Sequence, residues 1–210
     1  MIEIDGHHLT IPDVDAVARR NEPVSLSTAG MEAILRSRSW LEQILREDKP
    51  VYGINTGFGI FAEQRIKPEA RDRLSRNLIL SHAVATGTPF PDDIVRAAML
   101  IRANTLTRGH SGVRIEVVQT LLEMLNRNVV PIVPEQGSLG SSGDLALLSH
   151  LALVFTTDAE DRAEESGWAR FNGEVMRGKD AMQAAGLERL VLGAKEGLAI
   201  NNGATFSAAI

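Results

Sequence analysis

The sequence contains no cysteine among its 210 residues. This absence excludes disulfide bonds and thiolate metal sites, and it suits a protein of the reducing cytoplasm, which is the location we expect. Aromatic residues are also scarce, at 4% of the chain, and there is only one tyrosine. A hydrophobic core therefore has to be built mainly from aliphatic side chains.

Excess positive charge and long apolar runs are missing as well. The net charge is -5 at pH 7, so the chain lacks the basic surface by which proteins neutralise nucleic-acid phosphates. No apolar run reaches the length needed to span a membrane, and the first residues do not follow the charged-then-apolar pattern of a secretion signal. We therefore expect neither a nucleic acid nor a membrane as a partner.

Helical periodicity dominates what the sequence does contain. Apolar residues recur three and four positions apart, which predicts helices over 31–45, 68–85, 92–106, 115–126 and 144–155. Turn pairs predict two β-hairpins, one over 1–11 around Asp5-Gly6 and one over 168–177 around Asn172-Gly173. The sequence thus predicts a mainly α fold with small β-hairpins, and the length suffices for one substantial domain.

An irregular stretch over 128–143 holds two prolines and three glycines, and long loops of this kind are commonly functional. It ends in Ser141-Ser142-Gly143, the composition a peptide needs to cyclise on itself. The Gly143 nitrogen can close a five-membered ring on the Ser141 carbonyl carbon, which loses its oxygen as one water, and loss of the Ser142 hydroxyl as a second water leaves an exocyclic methylene. The product is an electrophile that no ordinary side chain supplies. Glycine suits the third position because a Cβ would obstruct the bent backbone.

The whole segment over 136–150 reads QGSLGSSGDLALLSH. It resembles the prosthetic-group loop of the aromatic amino acid ammonia-lyases, the family of histidine, phenylalanine and tyrosine ammonia-lyases and related aminomutases. The resemblance implies that Ser141, Ser142 and Gly143 form 4-methylidene-imidazol-5-one autocatalytically, with no metal or nucleotide cofactor. The triad would lie at a helix N-terminus, where negative charge is favoured. Asp144 would either cap that helix or orient the cyclising backbone.

A glycine-rich segment over 51–59, VYGINTGFG, resembles a second loop of the family. The resemblance implies that Tyr52 is the base that removes the substrate's β-proton, and that Gly59 belongs to a mobile loop that folds over the substrate. A free phenol has a pKa near ~10, so action at neutral pH requires nearby positive charge or hydrogen bonds to the phenolate. In isolation the segment is equally typical of a half-buried tyrosine between glycine turns.

The segment over 77–83, NLILSHA, resembles the family segment that lines the pocket for the substrate's ring. Ser81 and His82 occupy the pair that selects the substrate. A Ser-His pair resembles histidine ammonia-lyases, in which the substrate imidazole meets a polar partner, although some aminomutases carry the same pair. In isolation His82 is more typical of a core or interface histidine.

The segment over 195–203, KEGLAINNG, resembles a fourth family segment. Asn202 aligns with the asparagine that contacts the prosthetic group, and a side-chain amide there can donate to developing negative charge. In isolation the Asn-Gly pair predicts only a turn. Four departures from the family pattern indicate a divergent member: Ser141 for Ala, Leu147 for Pro, Ala204 for Thr, and the lack of the common Gln in the segment over 74–77.

Together these segments imply an ammonia-lyase that converts an aromatic amino acid, with histidine to urocanate as the expected reaction, and that acts as a homotetramer with active sites shared between subunits. Family members are much longer, so we expect 1–210 to be a single N-terminal domain in which a central helical bundle starts near residue 195. Two alternatives stay open: a folded fragment without lyase activity, and an aromatic amino acid 2,3-aminomutase.

Other residue patterns are weak. His7-His8 has no neighbouring carboxylate or cysteine cluster of the kind that binds metal, so no metal site is expected. The glycines over 53–59 lack the strand-then-helix context of a dinucleotide-binding fingerprint. His110 lies in a segment that resembles a helix connection of the family, and we expect it to be structural.

Overall fold

A computed structural model describes residues 1–47, 50–138 and 142–210. The described residues are mainly helical, which confirms the predicted fold class. The α-helices are α1 (Ile11–Arg20), α2 (Thr28–Glu47), α3 (Arg71–His82), α4 (Asp92–Thr107), α5 (Ile115–Asn126), α6 (Leu145–Phe155), α7 (Gly178–Ala184), α8 (Glu196–Asn201) and α9 (Phe206–Ala209).

Short strands pair in small sheets between the helices. They are β1 (Ile2–Ile4), β2 (Val24–Leu26), β3 (Thr86–Pro89), β4 (Val130–Pro131), β5 (Pro134–Gln136), β6 (Thr156–Thr157), β7 (Trp168–Phe171), β8 (Glu174–Arg177) and β9 (Leu190–Val191). β1 pairs with β2 and β6 with β9 in parallel, while β3 pairs with β5 and β4 with β7 in the antiparallel direction. β4 and β5 lie within the stretch that the sequence predicts to be irregular.

The predicted hairpin at the N-terminus is wrong. β1 pairs in parallel with β2, so that Ile2 faces Val24 and α1 forms the connection between the two strands. The turn at Asp5 leads into a helix because Thr10 and Asp13 form a reciprocal capping box at the start of α1. This local capping signal outweighs the turn pair that favoured a hairpin.

The second predicted hairpin is confirmed. β7 and β8 pair in antiparallel register from Trp168 opposite Arg177 to Phe171 opposite Glu174. The connecting pair Asn172-Gly173 has φ angles of 50° and 83°, which is the left-handed backbone that a two-residue hairpin turn requires. β4 extends this hairpin to three strands.

α6 lies at the centre of the core. Its side chains are buried on all sides of the helix, as expected for a helix with no solvent-facing stripe. Leu147, which stands where relatives usually have proline, is itself buried and helical. Because α6 begins directly after the Ser142-Gly143-Asp144 segment, the most deeply packed helix fixes the position of that segment.

α3, α6 and α8 pack against one another, and each carries one predicted site segment at an end. α3 ends at His82, α6 begins after Asp144, and α8 ends before Asn202. Within the described ranges, no helix is both long and apolar enough to cross a membrane. The division into one N-terminal domain, with a bundle starting near residue 195, stays a prediction.

Candidate active site

The triad is described at two of its three residues. Ser141 lies outside the described residues, whereas Ser142 and Gly143 are half-buried just before α6. Gly143 has a φ of +85°, in the left-handed region where a side chain is disfavoured. A Cβ built on Gly143 would also come within 3.2 Å of the Ser138 hydroxyl. The backbone is therefore bent at the position where the sequence analysis required glycine.

Asp144 does not cap the helix that it precedes. Its side chain makes no capping bond to α6, and it is only 1% exposed. Instead its carboxylate accepts hydrogen bonds from the backbone N–H groups of Thr205 and Phe206, the latter at 2.6 Å. Of the two roles left open for Asp144, capping of α6 is thereby excluded. The positive end of the α6 dipole faces the triad segment without a carboxylate from its own first turn.

Asn202 lies at the C-terminal end of α8, close to the residues that follow the triad. Its backbone N–H donates to the Leu198 carbonyl at 3.1 Å, and its carbonyl accepts from Arg102 at 2.9 Å. The neighbouring Asn201 is fully buried and donates to the Ser149 hydroxyl of α6 at 3.3 Å. These contacts place the end of α8 beside the first half of α6. Gly143, which precedes α6, and Asn202, which follows α8, therefore lie at the same end of this helix pair.

Tyr52 lies on a loop that packs against α8. A Cβ built on Gly53 would lie 2.6 Å from Leu198 Cδ2, one helical turn before Asn202. The Tyr52 ring meets Phe58 edge to face at 6.1 Å between centroids, and the Gly59 N–H donates to the phenolic oxygen at 3.5 Å. The phenol itself is 55% exposed. The loop backbone thus contacts α8, the helix that ends just before Asn202, while Tyr52 itself is exposed.

Ser81 and His82 end α3, and their hydrogen bonds fix the tautomer of the imidazole. His82 Nδ1 lies 2.9 Å from the Leu78 carbonyl oxygen. Because a carbonyl only accepts hydrogen bonds, Nδ1 carries a proton, and in the neutral tautomer that this contact selects the lone pair lies on Nε2. The Ser81 hydroxyl lies 3.1 Å from the same Nδ1 and 3.2 Å from the same carbonyl. Nε2 has no hydrogen-bond partner among the described residues, so it is available as an acceptor.

His150 is a residue that the sequence analysis did not single out. It lies in α6, and its Nε2 accepts the backbone N–H of Ala85 at 3.1 Å. The turn that leaves His82 is closed by the Val84 N–H on the His82 carbonyl at 2.8 Å, so His150 fastens the segment after His82 to α6. Asp144 lies six residues earlier in the chain, about 9 Å along a helix that rises 1.5 Å per residue. Burial lowers the pKa of His150, which favours the neutral, accepting form.

Arg102 is the second such residue. It stands in α4 with its guanidinium almost fully buried, and it donates to backbone carbonyls at the end of α8. The available sequence signal was an arginine between Leu100 and Leu106, on a helix whose middle part is largely apolar. That pattern indicates a buried charge but does not predict its hydrogen-bond partner, which lies about a hundred residues further along the chain. Among the residues that the structure describes, no three His, Asp or Glu side chains lie together in a group that could hold a metal ion.

The chain also matches a known protein family. Residues 9–210 match the family described as aromatic amino acid lyase. The chain belongs to the aromatic amino acid lyase family.

Named relatives within the family are similar over nearly the whole chain. Histidine ammonia-lyase of Caldanaerobacter subterraneus subsp. tengcongensis is 47% identical over 209 residues, which cover 100% of this chain and 40% of that protein. Histidine ammonia-lyase of Gloeobacter violaceus is 50% identical over 200 residues, which cover 95% of this chain and 37% of that protein. The chain therefore spans about two fifths of the length of these relatives.

A solved structure of the family superposes closely. The phenylalanine aminomutase of Pantoea agglomerans matches with a TM-score of 0.89 at 34% sequence identity, over 100% of this chain and 39% of that chain. The fold is thus shared between enzymes whose names state different reactions, so the fold alone does not distinguish those reactions.

The His150 contact generates a prediction about stability and pH. Because burial lowers the native pKa from its ordinary 6.5, the unfolded chain binds more protons just below pH 6.5 than the native chain does. The free energy of unfolding should therefore fall as the pH drops below about 6.5, with at most ~1.4 kcal/mol per pH unit from this one group. Urea unfolding of the wild type, the His150→Gln variant and an exposed-site control, His110→Gln, checks this. We expect the pH dependence to weaken in His150→Gln only; identical pH dependence in all three proteins would contradict the assignment.

Proposed function

We propose that the whole protein to which this chain belongs is a histidine ammonia-lyase, which eliminates ammonia from L-histidine and releases urocanate. The observation that carries the proposal is the His82 imidazole, whose Nδ1 is bound to the Leu78 carbonyl while Nε2 is left as an acceptor. The imidazole N–H of a histidine substrate is a matching donor, whereas a phenyl ring has none. The identity with histidine ammonia-lyases supports the same substrate.

The described residues fit 4-methylidene-imidazol-5-one formed from Ser141, Ser142 and Gly143. Gly143 has a left-handed φ, a bent backbone that glycine adopts without the steric cost of a side chain. The N-terminus of α6, which follows directly, favours negative charge on the adjacent group. When present, this group supplies an electrophilic methylene that withdraws electrons from the substrate. Asn202, at the end of α8, is the residue we assign to donate a hydrogen bond to it.

Tyr52 is the base in this proposal. Removal of the β-proton by the phenolic oxygen leaves an electron pair that forms the carbon–carbon double bond as the carbon–nitrogen bond breaks. The Gly59 N–H donates a hydrogen bond to the phenolic oxygen, which is the atom that takes up the β-proton. Ser81 supports recognition indirectly, because its hydroxyl helps to hold the His82 ring in one orientation.

A second candidate reaction is aromatic amino acid 2,3-amino transfer, in which the released amine returns to the β-carbon. The close superposition with a phenylalanine aminomutase supports this second reaction. The two reactions differ in their product, since a lyase accumulates the unsaturated acid and an aminomutase accumulates the β-amino acid.

We further propose that the whole protein is a homotetramer in the cytoplasm, and that residues 1–210 expressed alone are an inactive folded fragment. Light scattering and turnover assays on both lengths of chain test these statements.

Loss of Ser142 should abolish the prosthetic group. In Ser142→Ala no hydroxyl is available for elimination, so the intact mass should lack the deficit of about 36 Da that two waters account for. Ser141→Ala is the matched control, because the side chain at 141 is not consumed in the ring. We expect the control to keep both the mass deficit and histidine turnover. An unmodified mass in the wild-type whole protein would refute ring formation.

Replacing Tyr52 should impair proton removal without loss of the fold. Tyr52→Phe keeps the edge contact with Phe58 and removes only the phenolic oxygen. Since a positioned general base contributes about 10²–10⁴-fold, we expect kcat for histidine to fall by that factor while KM and the mass deficit stay unchanged. Steady-state kinetics give the answer, and a kcat within about tenfold of wild type would show that another group is the base.

His82 should determine the preference for histidine. Loss of a hydrogen bond to a buried polar group costs about 1–3 kcal/mol, so His82→Leu should lower kcat/KM for histidine by roughly 10–100-fold while leaving phenylalanine turnover unchanged or raised. His82→Gln retains an acceptor and should lose less. The measurement is absorbance of the unsaturated acid formed from histidine, tyrosine and phenylalanine. Equal losses on all three substrates would argue against recognition of the imidazole.

A further inference from the structure

We propose that Arg102 is a positioning residue that sets the direction of the Asn202 side chain toward the triad. The proposal rests on the proposed lyase function and adds a residue from α4, an element that carries none of the predicted site residues. It follows from four features of the molecule: the hydrogen bonds of Arg102, the space at Gly203, the carboxylate of Asp144, and the side chain of Asn202, which forms no hydrogen bond with the described residues.

Arg102 binds the end of α8 through its guanidinium. Nη2 donates to the carbonyl oxygens of Ala199 and Asn202, the latter at 2.9 Å. The last carbonyls of a helix have no partner within the helix, and the negative end of the helix dipole favours a cation there. The guanidinium is 4% exposed, so water does not compete for these carbonyls.

Gly203 provides the space that this contact needs. A Cβ built on Gly203 would lie 2.3 Å from Arg102 Nη1. Any side chain at 203 would therefore displace the guanidinium from the carbonyl of the preceding Asn202. The glycine that the sequence alone assigns to a turn thus has a second reason, which is close approach to a buried charge.

Asp144 fixes the other side of the same segment. Its carboxylate binds the N–H groups of Thr205 and Phe206, three and four residues after Asn202. Burial lowers the pKa of Arg102 to about 10 and the charge of Asp144 acts in the opposite direction, so the guanidinium is charged at neutral pH. The backbone over 199–206 is held at two places, by Arg102 and by the residue that directly follows Gly143.

The Asn202 side chain depends on this backbone for its direction. It is exposed, and the hydrogen bonds made by Asn202 to described residues involve only its backbone N–H and carbonyl. Arg102 also keeps a buried Nε without a partner among the described residues, which is unfavourable for stability. An apolar residue of similar size would avoid that cost. The presence of an arginine at this position is explained if its role is to hold the Asn202 carbonyl.

The test compares Arg102→Met, which keeps volume without donors, with Arg102→Lys, which keeps charge and donors, in the whole protein. We expect Arg102→Met to retain the mass deficit of the ring and the KM for histidine while kcat falls roughly 10–100-fold, as about 1 Å of misplacement costs. Arg102→Lys should recover part of the loss. Hydrogen exchange of the amides over 199–206 should accelerate in Arg102→Met and remain slow elsewhere.

A double-mutant cycle with Asn202→Ala decides whether Arg102 acts through Asn202. If it does, Arg102→Met should cost no further kcat once Asn202 is absent, whereas independent roles give additive losses and overturn the proposal. Unchanged exchange over 199–206 also overturns it, and this readout needs no turnover. If the wild type fails to turn over histidine, the lyase proposal fails separately, because exchange and mass still report on Arg102. If Arg102→Met does not fold, the same cycle is run with Arg102→Lys.

Discussion

The arrangement of the site depends on one carboxylate that bonds away from its own helix. Asp144 directly precedes the central buried helix, yet it binds backbone amides 61 and 62 residues further along the chain. The same carboxylate lies near the buried Arg102. Because α6 is packed on all sides, Asp144 has a fixed position, and the segment after α8 is held to it. Proximity of the triad segment and Asn202 follows from this contact.

Two buried charged side chains and the N-terminal end of α6 determine the electrostatics of the site. Asp144 and Arg102 are opposite charges, both nearly fully buried, and each is satisfied largely by backbone groups. A buried charge that is paired and hydrogen-bonded is tolerated where an isolated one is not. With the carboxylate engaged elsewhere, the N-terminal end of α6 retains its partial positive charge beside Gly143. The molecule thus keeps an acidic residue adjacent to the triad without placing its negative charge on the helix end that faces the triad.

Local signals in the sequence predicted local structure well. α5 has the predicted bounds because apolar spacing and length agree, and the hairpin around Asn172-Gly173 follows from its turn pair. The N-terminal hairpin failed because parallel pairing of β1 with β2 depends on a partner strand beyond α1. His150 and Arg102 were missed for a similar reason, since their partners lie 65 and about 100 residues away. The resemblance to family segments identified the residues assigned to chemistry, but not the residues that hold them.

The long reach of the Asp144 contact also bears on when the prosthetic ring that we propose would mature. The Asp144 carboxylate next to Gly143 cannot bind the amides of Thr205 and Phe206 until those residues have been synthesised and packed, and such distant closure is slow compared with helix formation. A nascent chain emerging from the ribosome would hold its serines unmodified through much of translation. Autocatalytic ring formation would then occur only in molecules that have already folded. Misfolded molecules would not carry a reactive methylene exposed to cellular nucleophiles.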